Sequence, residues 1–375
     1  MTDLLVAPAP APVRTTAPWQ AAFRTALAVW SAVTVVHIAV TVFSRSSWLS
    51  WNNWDAQHYV TIAEVGYHVG PGYPAFFPLY PLLIRVFDPL LPGGGLISAL
   101  VVANAAAIGA LALLHRLADH EFGPGTAQRA AWYLAASPMG FFLFIGYNES
   151  LFLLLTIGSL YAARRGHWWL AGSLGTLASG TRLFGVLLML PLAIEYLRQN
   201  RRIRADVLGI ALVPLGVVAY SLYCWWDLGS PLAFSIAQDQ WGRRYTFPGE
   251  AWFIAVGQAD GTLGNGTLGA ILDAGSILAA VVLLILCVRG RFRFRPDQSY
   301  LIAYGGICLV LLMSTEVGGR AMQSAPRYAM EAVAVVLVLA RIGARPLVDR
   351  LVLTSGFALH AALLMVFMSG TFLIA

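Results

Sequence analysis

Apolar segments about as long as a bilayer is thick recur along almost the whole sequence. A transmembrane helix needs about 20 apolar residues. Only 11% of the 375 residues are charged, against roughly 25% in an ordinary soluble domain. The pattern predicts an all-α polytopic membrane protein with about eleven transmembrane helices. These predicted helices lie near residues 20–43, 96–115, 130–146, 148–163, 168–181, 183–197, 206–226, 267–288, 298–314, 327–341 and 351–372.

The distribution of basic residues predicts how the chain is oriented in the membrane. All 24 basic residues are arginines, and cytoplasmic loops are enriched in such residues. With a cytoplasmic N-terminus, 17 of the 24 arginines fall on the cytoplasmic side, and the C-terminus is external. The net charge of +6 therefore follows from topology, and we predict no nucleic-acid partner. The seven external arginines are Arg45, Arg85, Arg182, Arg243, Arg244, Arg320 and Arg327.

The absence of lysine excludes two classes of site. Walker-A phosphate loops and Schiff-base catalysis both require a lysine. The three cysteines lie inside apolar runs without C-x-x-C spacing, so neither a disulfide framework nor a thiolate metal site is indicated. A composition with arginine and no lysine favours a GC-rich bacterial genome, and we predict a location in a bacterial plasma membrane.

The organisation of the chain points to function outside the cell. Residues 1–18 are rich in Ala and Pro and are predicted to form a disordered cytoplasmic tail, while residues 19–375 form one transmembrane domain. Two long segments, 44–95 and 227–266, are external. Because long loops carry function, we predict the active site on the extracytoplasmic face, with 44–95 as the catalytic loop. Residues 75–90 are apolar but proline-broken, which predicts interfacial helices.

The first external loop contains the strongest candidates for catalysis. On a helix beginning near Trp54, Asp55 and His58 are three residues apart and face the same way. A carboxylate with a histidine one turn away is typical of a general base for a hydroxyl nucleophile. Trp54 and Glu64 are candidates for substrate binding. In the alternative interpretation Asp55 caps the helix and the tryptophans form an interfacial belt.

A second candidate cluster lies at the outer end of a predicted helix. Asn148 and Glu149 occur there in the sequence GYNESLF, residues 146–152. An ionisable residue at that position is a functional candidate because it costs free energy unless it faces a cavity or a partner. We assign both residues to substrate binding. Alternatively, Glu149 stabilises the first turn of the helix.

Three external arginines at helix ends are candidates for binding a phosphate. A guanidinium suits bidentate phosphate recognition. Arg327 is the first choice because it begins the predicted helix 327–341, whose dipole also favours an anion, and Arg182 and Arg320 follow. In the alternative interpretation Arg182 and Arg320 extend to the lipid headgroups.

The second external loop combines charge with aromatic residues. Arg243 and Arg244 lie in the sequence DQWGRRYTFPGEAW, residues 239–252. The segment either binds the acceptor or forms a solvated interfacial stretch, and the pattern leaves both open. We carry both arginines as substrate-binding candidates.

At these residues the sequence resembles the PIG-V family and its bacterial relatives, mannosyltransferases of the GT-C class. The resemblance implies a GT-C-like bundle, a polyprenyl-phosphate mannose donor, and catalysis outside the cytoplasm by the acid of the first loop. Asp55 then corresponds to the catalytic acid, with His58, Glu149, Arg182 and Arg327 as supporting residues. The matching stretches are WDAQHYVTIAEVGY (54–67), AFFPLYPLLIRV (75–86), SPMGFFLFIGYNESLFLLL (137–155), WLAGSLGTLASGTRLFGVL (169–187) and APRYAM (325–330).

The leading hypothesis is an inverting transfer of one sugar from the lipid phosphate to a hydroxyl group of a lipid or glycan acceptor. Asp55 deprotonates that hydroxyl while an arginine holds the departing phosphate. The residues do not require a cofactor, and a divalent metal ion remains an alternative. Two other hypotheses remain open, a lipid-linked sugar flippase and a non-catalytic subunit of a glycosylation complex. Neither the identity of the acceptor nor the oligomeric state follows from the sequence.

Overall fold

The computed structural model describes residues 18–200, 202–258 and 265–371. The tail predicted for residues 1–18 lies outside the described residues except for Pro18, which begins the first helix. The helices are α1 Pro18–Phe43, α2 Asp55–Val65, α3 Leu79–Phe87, α4 Gly94–Phe122, α5 Pro124–Ala136, α6 Glu149–Arg164, α7 Trp168–Thr181, α8 Met189–Gln199, α9 Leu208–Ala211, α10 Leu215–Leu228, α11 Ala233–Ile236, α12 Glu250–Gln258, α13 Asn265–Val288, α14 Ser299–Leu312, α15 Ala325–Ala329, α16 Val333–Ile342 and α17 Pro346–Met368.

The described helices confirm an integral membrane protein. Four of them, α1, α4, α13 and α17, are each long and apolar enough to cross a bilayer, and the pair α9–α10, bent by 48°, qualifies as one broken span. The remaining predicted spans correspond to shorter helices, so eleven crossings stay a prediction. The predicted helix 327–341 is wrong as a single element, because the chain breaks there into α15 and α16.

A small antiparallel sheet interrupts the otherwise helical fold. Its strands are β1 Arg244–Tyr245, β2 Thr315–Val317 and β3 Arg320–Ala321, in the order β1-β2-β3. In the register, Arg244 pairs with Glu316 and Glu316 pairs with Ala321. The sheet joins the second external segment to the chain that follows α14.

The core of the bundle is built around α4 and α6. Helix α4 packs against α1, α5 and α6, and α6 packs against α7. The buried face of α4 is rich in alanine, including Ala99, Ala103 and Ala107, and small residues allow transmembrane helices to approach closely. Gly123, at φ +87°, ends α4, and Pro124 then begins α5 at the position where a helix tolerates proline.

A buried ionic cluster lies at the end of the bundle predicted to be cytoplasmic. The Arg164 guanidinium contacts the carboxylates of Glu121 at 2.6 Å and Glu195 at 2.9 Å, and also contacts Asp297. Arg164 ends α6 and Glu149 begins it. At 1.5 Å per residue the two ends of this helix lie about 22 Å apart. The arginine-rich end is therefore opposite the end that carries Glu149.

Candidate active site

The first and second external segments line a cavity of about 240 Å³ together with residues between α7 and α8 and residues at and after the end of α14. The lining residues are Trp54, Asp55, His58, Tyr59, Ala75, Phe76, Phe77, Asn148, Thr181, Arg182, Leu183, Phe184, Phe234, Ser235, Gln238, Trp241, Arg243, Tyr245, Leu312, Thr315, Val317, Gln323, Ser324, Arg327 and Tyr328.

Asp55 and His58 both line this cavity from the first turn of α2. The expected spacing of one turn on one helix face is thus observed. Asp55 is not a helix cap, because the cap residue is Trp54, whose side chain makes no capping hydrogen bond. The Trp54 backbone has φ +56°, a conformation that bulky residues rarely adopt. This turn directs the first residue of α2 into the cavity.

The Asp55 carboxylate binds a buried arginine from a distant part of the chain. Its Oδ2 accepts a hydrogen bond from Nη1 of Arg327 at 2.9 Å, and Nε of Arg327 lies 3.1 Å from Oε1 of Glu149. The rings of Phe142 and Tyr147 lie 5.2 and 5.3 Å from the Arg327 guanidinium carbon, within cation–π distance. Arg327 therefore links the acid of α2 to the first residue of α6.

Arg182 is the second guanidinium of this charged network. It donates to Oδ1 of Asn148 at 2.8 Å and forms ion pairs with Glu149 and Glu331. Its side chain is 11% exposed, so the alternative in which Arg182 extends to the headgroups is wrong. Glu149 is both the first residue of α6 and a partner of the two arginines, and its assignment to substrate binding stays a prediction.

The sequence analysis did not identify Glu331 as a site residue. Its carboxylate is 1% exposed and pairs with Arg182. Glu331 follows the APRYAM stretch by one position, but no local pattern distinguishes it from a helix-surface acid. The network thus contains three carboxylates, from Asp55, Glu149 and Glu331, around the guanidinium groups of Arg182 and Arg327.

An aromatic cluster surrounds His58. The imidazole lies 5.0 Å from the ring of Phe76, 5.1 Å from Trp241 and 5.3 Å from Tyr73, measured between ring centroids. Burial lowers the pKa of His58, and the Asp55 carboxylate partly opposes this shift. The lowered pKa favours the neutral imidazole, and His58, Phe76 and Trp241 of this cluster line the cavity.

The second external segment reaches the cavity and contacts the first. The indole Nε1 of Trp241 donates to the carbonyl of Gly72 at 2.9 Å, and β1 pairs with β2. Arg243 and Tyr245 line the cavity, whereas Arg244, between them, is exposed and does not. This alternation follows from extended backbone, in which successive side chains point to opposite faces.

Two further predicted residues lie away from the cavity, as Arg244 does. Arg320 pairs with Asp273 of α13 at 2.6 Å and has a 15% exposed side chain, so it neither lines the cavity nor extends to the headgroups. Glu64 is exposed near the end of α2, outside the lining residues. Both residues lie outside the cavity, and their assignment to the site stays a prediction.

The described residues contain no cluster of three or more His, Cys, Asp or Glu side chains arranged to hold a metal ion. The three cysteines are buried and unbridged. The chemistry of the cavity in this part of the chain is that of one carboxylate, one histidine, several arginines and aromatic rings.

Comparison with known proteins supports the predicted resemblance in the N-terminal half. Residues 21–199 match the family model described as Mannosyltransferase (PIG-V). The chain is 36% identical to GPI alpha-1,6-mannosyltransferase 2 of Rattus norvegicus over 146 residues, which cover 36% of this chain and 30% of the rat protein. It is 32% identical to GPI mannosyltransferase 2 of Yarrowia lipolytica over 155 residues, 40% of this chain and 42% of that protein. The matches thus span less than half of these relatives.

Solved structures show the same fold over nearly the whole chain. The crystal structure of ArnT from Cupriavidus metallidurans bound to undecaprenyl phosphate superposes with a TM-score of 0.52 at 16% identity, over 92% of this chain and 76% of ArnT. The apo oligosaccharyltransferase of Archaeoglobus fulgidus gives a TM-score of 0.50 at 11% identity, over 93% of this chain and 56% of that one. These likenesses confirm the predicted GT-C-like bundle.

Proposed function

We propose that this chain, whose residues 21–199 match the Mannosyltransferase (PIG-V) family, is a membrane glycosyltransferase. It transfers one sugar, mannose by analogy with its relatives, from a polyprenyl-phosphate donor to a hydroxyl group of a lipid or glycan acceptor. The observation that carries the proposal is the position of Asp55, which lines an enclosed cavity beside His58 in the segment that matches the family.

The Asp55 carboxylate has the geometry of a general base. Its Oδ2 is occupied by Arg327, whereas Oδ1 accepts no hydrogen bond from the described residues. The side chain is 25% exposed, so an acceptor hydroxyl can reach it. Asp55 takes the hydroxyl proton as the oxygen bonds to the anomeric carbon, and the bond from that carbon to the phosphate oxygen breaks. The electron pair leaves with the phosphate, which inverts the anomeric centre.

The shape of the cavity suits a lipid-linked sugar. The lining includes the apolar residues Leu183, Phe184 and Leu312, against which a polyprenyl chain can lie, and aromatic rings near His58, on which a sugar ring can pack. ArnT was crystallised with undecaprenyl phosphate, a donor carrier of the same class. The charged network lies at the end of α6 opposite the Arg164 cluster, which supports a site on the extracytoplasmic face.

Turnover by the purified chain tests the proposal. The full chain in nanodiscs receives polyprenyl-phosphate mannose with a radiolabelled sugar and a bacterial lipid extract as acceptor, and we expect labelled product from the parent protein. The same preparation treated with EDTA keeps its rate, because arginine and Asp55 suffice for the step. A rate lost with EDTA and restored by Mg²⁺ contradicts this part of the proposal.

Two outcomes would favour the alternative functions. Transbilayer movement of the intact donor in proteoliposomes, without covalent transfer, identifies a flippase. Transfer by native membranes that disappears on purification and returns with a second polypeptide identifies a non-catalytic subunit. Either result contradicts the proposed activity of this chain.

A further inference from the structure

The arginines that bind the acids of the network are poorly placed to bind a further anion. Arg327 contacts Asp55 and Glu149, and Arg182 contacts Glu149 and Glu331. These five side chains already carry one more carboxylate than guanidinium. A phosphate placed on Arg327 or Arg182 therefore lies beside the carboxylates that these guanidinium groups already bind, and like charges at short range repel in a buried environment.

Arg327 also lacks the helix terminus that its sequence position suggested. The helix that contains it, α15, has five residues and ends at Ala329, and α16 begins only at Val333. The Arg327 side chain is 3% exposed and enclosed by aromatic rings. Arg327 lines the cavity, but its guanidinium is already paired with Asp55 and Glu149.

Arg243 differs from Arg182 and Arg327 in its contacts. It lines the same cavity from the second external segment, and its guanidinium forms no ion pair with any described residue. Its Nε is a buried atom without a hydrogen-bond partner in the described part of the chain. A buried donor atom without a partner costs free energy, and an anionic ligand in the cavity that accepts a hydrogen bond from Nε removes that cost.

The segment that carries Arg243 is held in place before any ligand arrives. The Arg243 amide donates to the carbonyl of Gln238 at 3.1 Å, and the Thr246 amide donates to the carbonyl of Ser314 at 2.9 Å. The hydrogen bond from Trp241 to Gly72 joins this segment to the first external loop. A preorganised donor loses little conformational entropy when it binds.

We infer that Arg243 is the residue that binds the phosphate of the lipid-linked substrate, an inference that rests on the proposed function. Asp55 is the sole carboxylate among the lining residues that the structure describes. The cavity therefore places one available cation and one acid in a common space. The phosphate binds Arg243, the sugar lies between Arg243 and Asp55, and Arg327 and Arg182 orient the acid.

Binding of polyprenyl phosphate without its sugar tests the inference independently of turnover. The purified full chain in detergent is titrated with undecaprenyl phosphate and, separately, with the uncharged polyprenol. We expect Arg243→Gln to weaken binding of the phosphate by about 10- to 100-fold, the range for losing a charge-assisted hydrogen bond, with polyprenol binding unchanged. The matched control is Arg85→Gln, which removes an exposed external arginine outside the cavity and leaves both affinities as in the parent.

The variants separate this inference from the proposed function. Arg327→Gln is expected to abolish transfer while keeping most of the affinity for undecaprenyl phosphate. Equal affinity of Arg243→Gln and the parent overturns the inference, as does a loss confined to Arg327→Gln. Failure of the parent itself to prefer the phosphate over polyprenol overturns the lipid-phosphate donor. Two results exclude misfolding as the cause of a loss in Arg243→Gln. The Arg243→Lys variant, which keeps the charge, retains part of the affinity, and the Tm of Arg243→Gln equals that of the parent.

Discussion

At the residue scale, the site depends on how the carboxylate of Asp55 is held. Arg327 donates to Oδ2 of Asp55 and thereby fixes the side chain, which lines the cavity. A buried arginine between aromatic rings cannot lose its proton, so this orientation persists over the working pH range. The same arginine joins Asp55 to Glu149.

Replacing Asp55 with Asn tests its role as the base. The amide keeps the shape and a hydrogen-bond acceptor for Arg327 but cannot take a proton. Loss of a general base typically costs about 10² to 10⁴ in rate, so we expect transfer to fall by that factor while undecaprenyl phosphate still binds. Transfer at the parental rate by Asp55→Asn, measured with labelled donor, contradicts the assignment.

His58 predicts how stability depends on pH. Burial lowers its pKa in the folded state below the usual value of 6.5, so on acidification the unfolded state takes up a proton first. The free energy of unfolding therefore falls as the pH drops through 6.5 and levels off below the folded pKa. We expect the Tm in detergent to fall less between pH 7 and pH 5 in His58→Gln than in the parent. Parallel Tm curves for the two proteins would contradict the buried, neutral histidine.

At the scale of elements, glycine contacts set the position of the helix that carries Arg182. Helices α7 and α9 approach so closely that a Cβ on Gly172 lies 1.7 Å from the carbonyl oxygen of Gly209. Further along α7, the carbonyl oxygen of Thr176 lies 2.1 Å from a Cβ built on Gly216 of α10. Because α7 ends at Thr181, immediately before Arg182, its packing determines where that guanidinium lies.

The close contact makes Gly172→Val a test of this packing. The added side chain has to separate α7 from α9, and overpacking of this kind costs about 1–3 kcal/mol. We expect a lower Tm together with reduced transfer, since Arg182 moves with its helix. The control is Gly275→Ala in α13, where an added Cβ meets nothing within 4 Å. An unchanged Tm in Gly172→Val shows that the helices are not in contact at this point.

At the scale of the whole molecule, two groups of charged residues lie at opposite ends of the bundle. One end holds Arg164 with Glu121, Glu195 and Asp297, and the other holds the cavity. Arginine enrichment marks the cytoplasmic side of a membrane protein. We therefore expect the cavity to open on the opposite side.

Cysteine labelling tests this orientation. The three native cysteines are buried, so an added cysteine dominates the signal. We expect Gly70→Cys, in the first external loop, to react with an impermeant maleimide in intact cells. Arg291→Cys, exposed beyond α13 at the arginine-rich end, should react only after permeabilisation. The reverse pattern overturns the topology and places the cavity in the cytoplasm.

The sequence by itself determined the features that depend on neighbouring residues. Apolar length predicts membrane helices because the bilayer thickness is constant, and helical periodicity places Asp55 and His58 on one face of α2. The same local logic puts Glu149 in the first turn of α6. Such features need only the chemistry of a few consecutive residues, and the structure retains them.

Only the tertiary structure decided which charges meet. Asp55 and Arg327 are 272 positions apart, and no local pattern specifies that pairing, nor that Glu331 binds Arg182 and Asp273 binds Arg320. The alternation that directs Arg243 into the cavity arises from the pairing of β1 with β2. Burying a charge costs free energy unless an opposite charge lies beside it, and which partner is near is set by how the helices pack, not by any one segment.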